Sequence, residues 1–307
     1  MNRKTIAVGA VLAAMLLMGA CSPDGGGAAP SASGAAQTPT AGSSAQTSAE
    51  SLIATVKQRG VLRLGVAPNP PYAYLDTASG KWKGVFVDVI KDWTDNVLKV
   101  KLETVATTFQ NMVAGLQAHQ FDLGTSLNPT PIRSTVIVFS SVVQPSMDAF
   151  VINPAVVSAK NYAELNSSKT RVCVSQGSTA DFALTSHKSA MQPTRLPDAQ
   201  SCVLALTTGR VDAFLTVQRA AAGVAAVHAG YKLIWPDTGW TLSGSAFGIA
   251  PGYSFMDVMA LNTQIQDFAA SGKMAESLVA NKAINPLDYA LGTPPAYVTR
   301  TLADAGS

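Results

Sequence analysis

Ser126-Leu-Asn-Pro-Thr-Pro-Ile-Arg133 is the stretch whose reading decides the fold. It follows a strand-like run, Phe121-Asp-Leu-Gly-Thr125, and precedes a second apolar run, Thr135-Val-Ile-Val-Phe139. A turn rich in Pro and Thr between two buried strands places its side chains at the end of a sheet. Ligands bind there in open α/β sheets. The turn offers hydroxyls, an amide and one guanidinium. Arginine can hold a carboxylate with two parallel hydrogen bonds, so Arg133 is a candidate binding residue. The alternative is a surface arginine that caps the next element.

Outward from the turn, strands alternate with helices. Val61 to Val66 reads as a strand. Asn69-Pro-Pro-Tyr-Ala-Tyr74 is a rigid extended loop, because two prolines fix φ and bar helix. Gly84 to Asp88 opens a helix running to about Leu98. Val100 to Val105 is a strand, and Phe109 to His119 an amphipathic helix with Met112 and Leu116 on one face. At about Asp148 the pattern restarts. Ala149 to Ile152 and Arg171 to Val174 read as strands. The second runs into Gln176-Gly-Ser-Thr-Ala180 at a helix start, where hydroxyls cap and free N–H groups attract an anion. Ala199 to Thr208 is a helix and Val211 to Thr216 a strand; Ala246 to Ala250 is a strand that crosses back, before a long helix from Tyr253 to Ala270. Such βαβ alternation predicts mostly parallel sheets flanked by helices. A crossing near 148 and a return near 245 make the second lobe an insertion in the first.

The N-terminus carries Arg3 and Lys4, an apolar run from Thr5 to Met18, and small residues before Cys21. That is the pattern of a secretory signal. The run is shorter than the roughly 20 apolar residues that span a bilayer. Small residues before Cys21 resemble a bacterial lipobox, with a lipid added to that sulfur. From Ser22 to about Ser48 the chain is Gly, Ala, Ser, Pro, Thr and Gln with one charge, Asp24. This composition buries too little apolar area to fold, and as coil it reaches roughly 30 Å.

About 260 residues remain, enough for one large or two small cores. Removing Arg3 and Lys4 from the 22 basic side chains leaves 20 against 19 acidic ones. That balance gives no support for nucleic acid as a partner. The histidines, at 119, 187 and 228, are scattered, and no His/Cys cluster has metal-ligand spacing; no metal and no cofactor are expected. With Cys21 acylated, Cys173 and Cys202 remain as an even pair in an oxidising compartment, which favours a disulfide over two buried thiols.

Eight short motifs carry a resemblance: Arg59-Gly-Val-Leu-Arg-Leu-Gly-Val66, Pro70-Pro-Tyr72, Gly84-Val-Phe-Val-Asp88, Leu116 to Leu123, Thr130-Pro-Ile-Arg133, Gly177-Ser-Thr179, Gly209-Arg-Val-Asp-Ala213 and Phe247-Gly-Ile-Ala250. In this order and spacing, over about residues 52 to 280, the chain resembles the family 3 extracellular solute-binding proteins. These are the polar amino-acid-binding receptors of ABC importers. The resemblance implies a type II periplasmic binding fold: two α/β lobes, each a mostly parallel sheet flanked by helices, joined by two hinge strands. The expected organisation is a signal peptide over 1–20 and a lipid-anchored linker over 21–48. Lobe 1 takes 49–147 and 245–288, lobe 2 takes 148–244, and a tail covers 289–307.

Carried over position by position, Arg133 clamps the ligand's α-carboxylate. Ser126 and Asn128 sit where the family offers a backbone carbonyl and a Thr. Ser178 and Thr179 complete that site from the second lobe. Phe109 matches an aromatic that packs on the ligand; an ordinary core Phe is the alternative. Two positions depart from the pattern. Val217 and Gln218 follow Leu215-Thr216 where the family has an Asp for the ligand's ammonium, and Asn69 replaces an aromatic cover. Asp148 either supplies the missing charge or is a solvated hinge residue.

The implied function is a monomeric, lipid-anchored receptor on the periplasmic side of the envelope. It captures an amino acid or related organic acid in an interlobe cleft and presents it to an ABC transporter permease, without catalysis. Two other readings are an enzyme resembling periplasmic cyclohexadienyl dehydratases, and a sensory receptor that feeds no importer.

Overall fold

The computed structural model describes residues 49–236, 240 and 243–283. The expected signal segment, Cys21, its linker and the tail over 289–307 lie outside the described residues. Helix α1 (Leu52–Arg59) is capped by Ser51, whose side chain accepts from the Ala54 N–H, and ends at Gly60 in the left-handed region. Strand β1 (Val61–Val66) follows, then a hairpin of β2 (Tyr74–Asp76) and β3 (Lys81–Lys83). Helix α2 (Val85–Asp92) continues as one π-helical segment, Trp93–Leu98, before β4 (Lys101–Ala106) and α3 (Phe109–Gln117). Next come β5 (Leu123–Leu127), the short α4 (Pro131–Ser134) and β6 (Val138–Ser146).

The deciding stretch therefore ends one strand and starts a helical turn. The second strand begins three residues later than the apolar run at Thr135 suggested. Thr130 and Pro131 explain this: the Thr130 side chain accepts from the Arg133 N–H, and proline suits the first helical position.

The chain then enters β7 (Asp148–Ile152), α5 (Tyr162–Leu165), β8 (Arg171–Ser175), α6 (Thr179–Ser186), β9 (Gln192–Leu196), α7 (Ala199–Thr207), β10 (Ala213–Val217), α8 (Gln218–Val227) and β11 (Lys232–Ile234). It returns through β12 (Ser243–Ile249) and closes with α9 (Phe255–Ala270) and α10 (Lys273–Ala280).

Two five-stranded sheets result, in the orders β4-β1-β5-β12-β6 and β11-β7-β10-β8-β9. In the first, β12 runs against both neighbours while the other four strands share one direction. In the second, β7 is the single reversed strand. Both reversed strands are the ones that carry the chain between sheets. Ser146, where β6 ends, pairs with Ser243, where β12 begins, so the two crossings lie side by side.

Each sheet is buried on both faces, as expected when helices cover both sides. In the second, Cys173, Phe214 and Val151 pack with α7 and α8, while Val172, Val174, Phe150 and Leu215 pack on the other face with Leu184. That is the two-residue period of a strand. Cys173 of β8 and Cys202 of α7 form a disulfide, with Cα atoms 5.6 Å apart. In the first sheet, Leu62, Leu64, Phe86 and Phe247 form one core, and Met112, Leu116, Phe121 and Leu127 another. Both sheets fall within one compact unit.

Candidate functional site

The ends of β5 and β10 meet α3, α4 and α6 around a cavity of about 20 Å³. That is room for about one water. Its lining includes Asn69, Phe109, Ser126, Asn128 and Arg133 from the first sheet's side. Ser178, Thr179 and Val217 line it from the second. A wider groove of about 610 Å³ also runs between Pro70–Pro71 and α8, with Arg219 and Lys282 on its walls. It lacks Arg133 and all the residues expected from sequence, so we take the smaller cavity as the candidate site.

Arg133 is 7% exposed. The α4 turn aims it inward, where Nη1 donates to the Asn128 carbonyl at 3.0 Å and Nη2 donates to the Gly177 carbonyl at 2.8 Å. The second bond joins the two sheets' elements. The guanidinium carbon also lies 5.7 Å from the centre of the Phe182 ring. Burial pushes the guanidinium down to about 10, so it remains charged at neutral pH. Among the described residues no carboxylate pairs with it.

Thr179 Oγ1 donates to Asn128 Oδ1 at 3.3 Å, a second link across the cleft. The Ser178 side chain caps α6 by accepting from the Asp181 N–H. The first N–H groups of a helix have no partner within it, and Thr179 and Ala180 both line the cavity. Gly177, just before, has φ of +74°, and a Cβ there would lie 2.8 Å from the Gln110 Cα of α3. Only a residue without a side chain allows that approach.

Ser126 is in the left-handed region with φ of +57°, uncommon for a residue other than glycine. Its Oγ is buried and has no hydrogen-bond partner among the described residues. Phe109 starts α3 behind the Thr108 cap. Asn69 is buried, with its backbone tied to Tyr72 and Ala73, which holds the proline loop against the cavity.

Two residues expected at the site stand beside Val217 but outside the lining. Gln218 is fully buried at the start of α8, and its amide is taken up by the crossing segment: Oε1 accepts from Met147 N–H and Nε2 donates to Pro145 carbonyl. Asp148 is not the solvated hinge residue of one reading, since it is 3% exposed. It pairs with Val217 in the β7–β10 ladder, so its side chain shares the face of that lining residue, one strand behind the cavity wall. Sequence reasoning missed Ser175, Ala180, Leu215 and Thr216, which line it. Three of these end strands β8 and β10, and the rule that ligands gather at strand ends would have found them.

A family model described as bacterial extracellular solute-binding proteins, family 3, matches residues 62–278. No curated protein sequence matches the chain significantly. Solved structures do. An amino acid ABC transporter substrate-binding protein from Streptococcus pneumoniae, bound to L-arginine, is 22% identical with a TM-score of 0.70, over 77% of this chain and 99% of that one. A solute receptor for L-cysteine of Neisseria gonorrhoeae is 22% identical with a TM-score of 0.67, over 77% and 94%. The ancestral amino acid-binding protein AncCDT-1, a precursor of cyclohexadienyl dehydratase, is 22% identical with a TM-score of 0.68, over 75% and 99%. At this identity the likeness establishes the fold.

Proposed function

The chain belongs to the bacterial extracellular solute-binding proteins, family 3, and from that premise we propose that it captures a small carboxylate-bearing solute between its lobes for an ABC importer. The solute is an amino acid or a related organic acid. Arg133 carries this reading: a buried cation whose described partners are two carbonyls and an aromatic face. A buried charge is stable when an opposite charge offsets it, and the planar guanidinium fork matches a carboxylate. The N–H groups at the start of α6 favour the same ligand. Relatives described as bound to L-arginine or as receptors for L-cysteine support a solute of that size.

Capture is a change of lobe separation. A cavity of about 20 Å³ admits no amino acid, so the lobes part to admit solute. The solute docks on Arg133 and Asn128 of lobe 1. Ser178 and Thr179 then close over it, and its extra contacts in the closed form shift the equilibrium. The hinge is the paired crossing at Ser146 and Ser243. A lipid on Cys21 holds the receptor at the membrane, where the permease reads the closed shape. Receptor chemistry fits the lining better than dehydration, which needs a proton donor poised on the substrate; the described lining offers amides, hydroxyls and Arg133.

The test is thermal unfolding of the protein against amino acids, 2-oxo acids and small dicarboxylates, with Arg133→Ala beside it. A ligand at a hundred times its Kd adds about 2.7 kcal/mol. Stabilisation that survives in Arg133→Ala would sink the carboxylate reading.

A further inference from the structure

The wider groove, about 610 Å³, has room for several side chains. Pro71, Tyr74 and the end of α10 form one wall. The other is an apolar face of α7 and α8 that carries Val203, Val224 and Val227. Val227 is 76% exposed.

Arg219 marks what this groove lacks. It is the second residue of α8, where the positive end of the helix disfavours a cation. Its Nε is buried without a hydrogen-bond partner among the described residues. No carboxylate there pairs with it, nor with Lys282 on the opposite wall. Asp76, the acid on that wall, is held by Lys83 at 2.6 Å. The groove therefore sets an apolar face beside two unpaired cations. An apolar segment that contains one acid complements both features.

The chain carries such a segment at the groove's edge. Lys282 ends α10 in the left-handed region, with φ of +55°, and the Ala283 N–H donates to the Leu278 carbonyl. That cap turns the chain where Asn281 and Lys282 line the groove. Next comes Ile284-Asn-Pro-Leu-Asp-Tyr-Ala-Leu291. Ile284, Leu287, Tyr289 and Leu291 are large and apolar, and Asp288 is the single charge. Fully extended, the chain from Lys282 to Asp288 reaches roughly 20 Å. A short tether presents it to the groove at an effective concentration of about a millimolar or more.

We infer that residues 284–291 seat in this groove, with Asp288 paired to Arg219 and the apolar side chains against α7 and α8. Seated there, the segment touches both walls and straps them together. This does not depend on which solute the receptor takes.

The experiment is limited digestion of the purified full chain with chymotrypsin, read by mass spectrometry at Leu287, Tyr289 and Leu291. The expected result is cleavage at these residues at least tenfold slower in the wild type than in Arg219→Glu or Val227→Arg. Adding Asp288→Arg to Arg219→Glu should restore resistance, because the pair is rebuilt with its charges exchanged. Circular dichroism checks that the variants fold. If Arg219→Glu does not, the exposed Val227→Arg decides. Equal cleavage in the wild type and Val227→Arg would overturn the inference. Resistance lost in Arg219→Glu and not regained in the exchange would overturn the Asp288–Arg219 pair. A concentration-dependent dimer in sedimentation, dissolved by Val227→Arg, would overturn the inference and assign the groove to a second copy.

Discussion

Gln218 and Met147 are bonded to each other twice. The Gln218 backbone N–H donates to the Met147 carbonyl at 2.7 Å, and the Met147 N–H donates to Gln218 Oε1 at 2.6 Å. The same amide donates to the Pro145 carbonyl at 2.9 Å. A side chain from the start of α8 thus fixes the segment that leaves the first sheet. Gln218→Ala leaves a buried N–H and a carbonyl unpaired, and should lower stability by about 1–3 kcal/mol. Urea unfolding should show a lower midpoint with an unchanged slope. A wild-type midpoint would mean the crossing is held by other contacts.

Gly177→Ala should weaken solute binding by at least tenfold, about 1.4 kcal/mol. The added methyl meets the Gln110 backbone across the cleft, and the positive φ disfavours any side chain. The loss should appear in the closed form, so small-angle scattering with saturating solute should give a larger radius than wild type. An equally compact liganded variant would argue against this contact as the limit of closure.

The Cys173–Cys202 bond closes a loop of 29 residues. Loop-closure entropy assigns such a cross-link about 3–4 kcal/mol. Replacing both cysteines by serine should lower the melting temperature by several degrees, and reductant should do the same to the wild type alone. Equal melting of both forms, with and without reductant, would leave the bond no role in stability.

Asp257 links the starts of α1 and α9. It accepts from the Leu52 and Ile53 N–H groups at the start of α1 and from Ser51 and Ser254 hydroxyls. Burial raises its carboxyl, but these hydrogen bonds outweigh burial and hold it below the ordinary carboxylate value. A carboxyl depressed in the folded state stabilises fully above its unfolded pKa of about 3.9 and loses that contribution as pH falls through the folded value. Asp257→Asn should therefore be less stable at pH 7 and show a flatter acid limb. Parallel loss of stability from pH 5 to 2 in both proteins would refute the assignment.

Much of the fold was legible because its signals are local. Thr130-Pro131 announces a helical turn, and the Ser178-Thr179 pair a capped helix start; both place their neighbours at the cavity. What escaped has weak local signals. Strand β9 contains Pro193, tolerated because β9 is a sheet edge, and its side chains are mostly solvent-facing. Helix α8 is alanine-rich and starts directly from β10 without a side-chain cap. Strand β5 begins two residues later than the apolar run suggested, because the Asp122 carboxylate is drawn into bonds with the Arg63 N–H and side chain. Gln218 was misplaced for a different reason. Its partners are 71 and 73 residues away, on a segment whose path depends on sheet order.

The pairing of Ser146 with Ser243 has a mechanical consequence. The chain leaves the first sheet and re-enters it at one rung of the β6–β12 ladder. Tension applied at α1 and α10 therefore runs through the first sheet and bypasses the second. Pulled from those helices, the protein should yield in two steps: the first sheet gives way first, and the disulfide-braced sheet carries load only after that rung has parted.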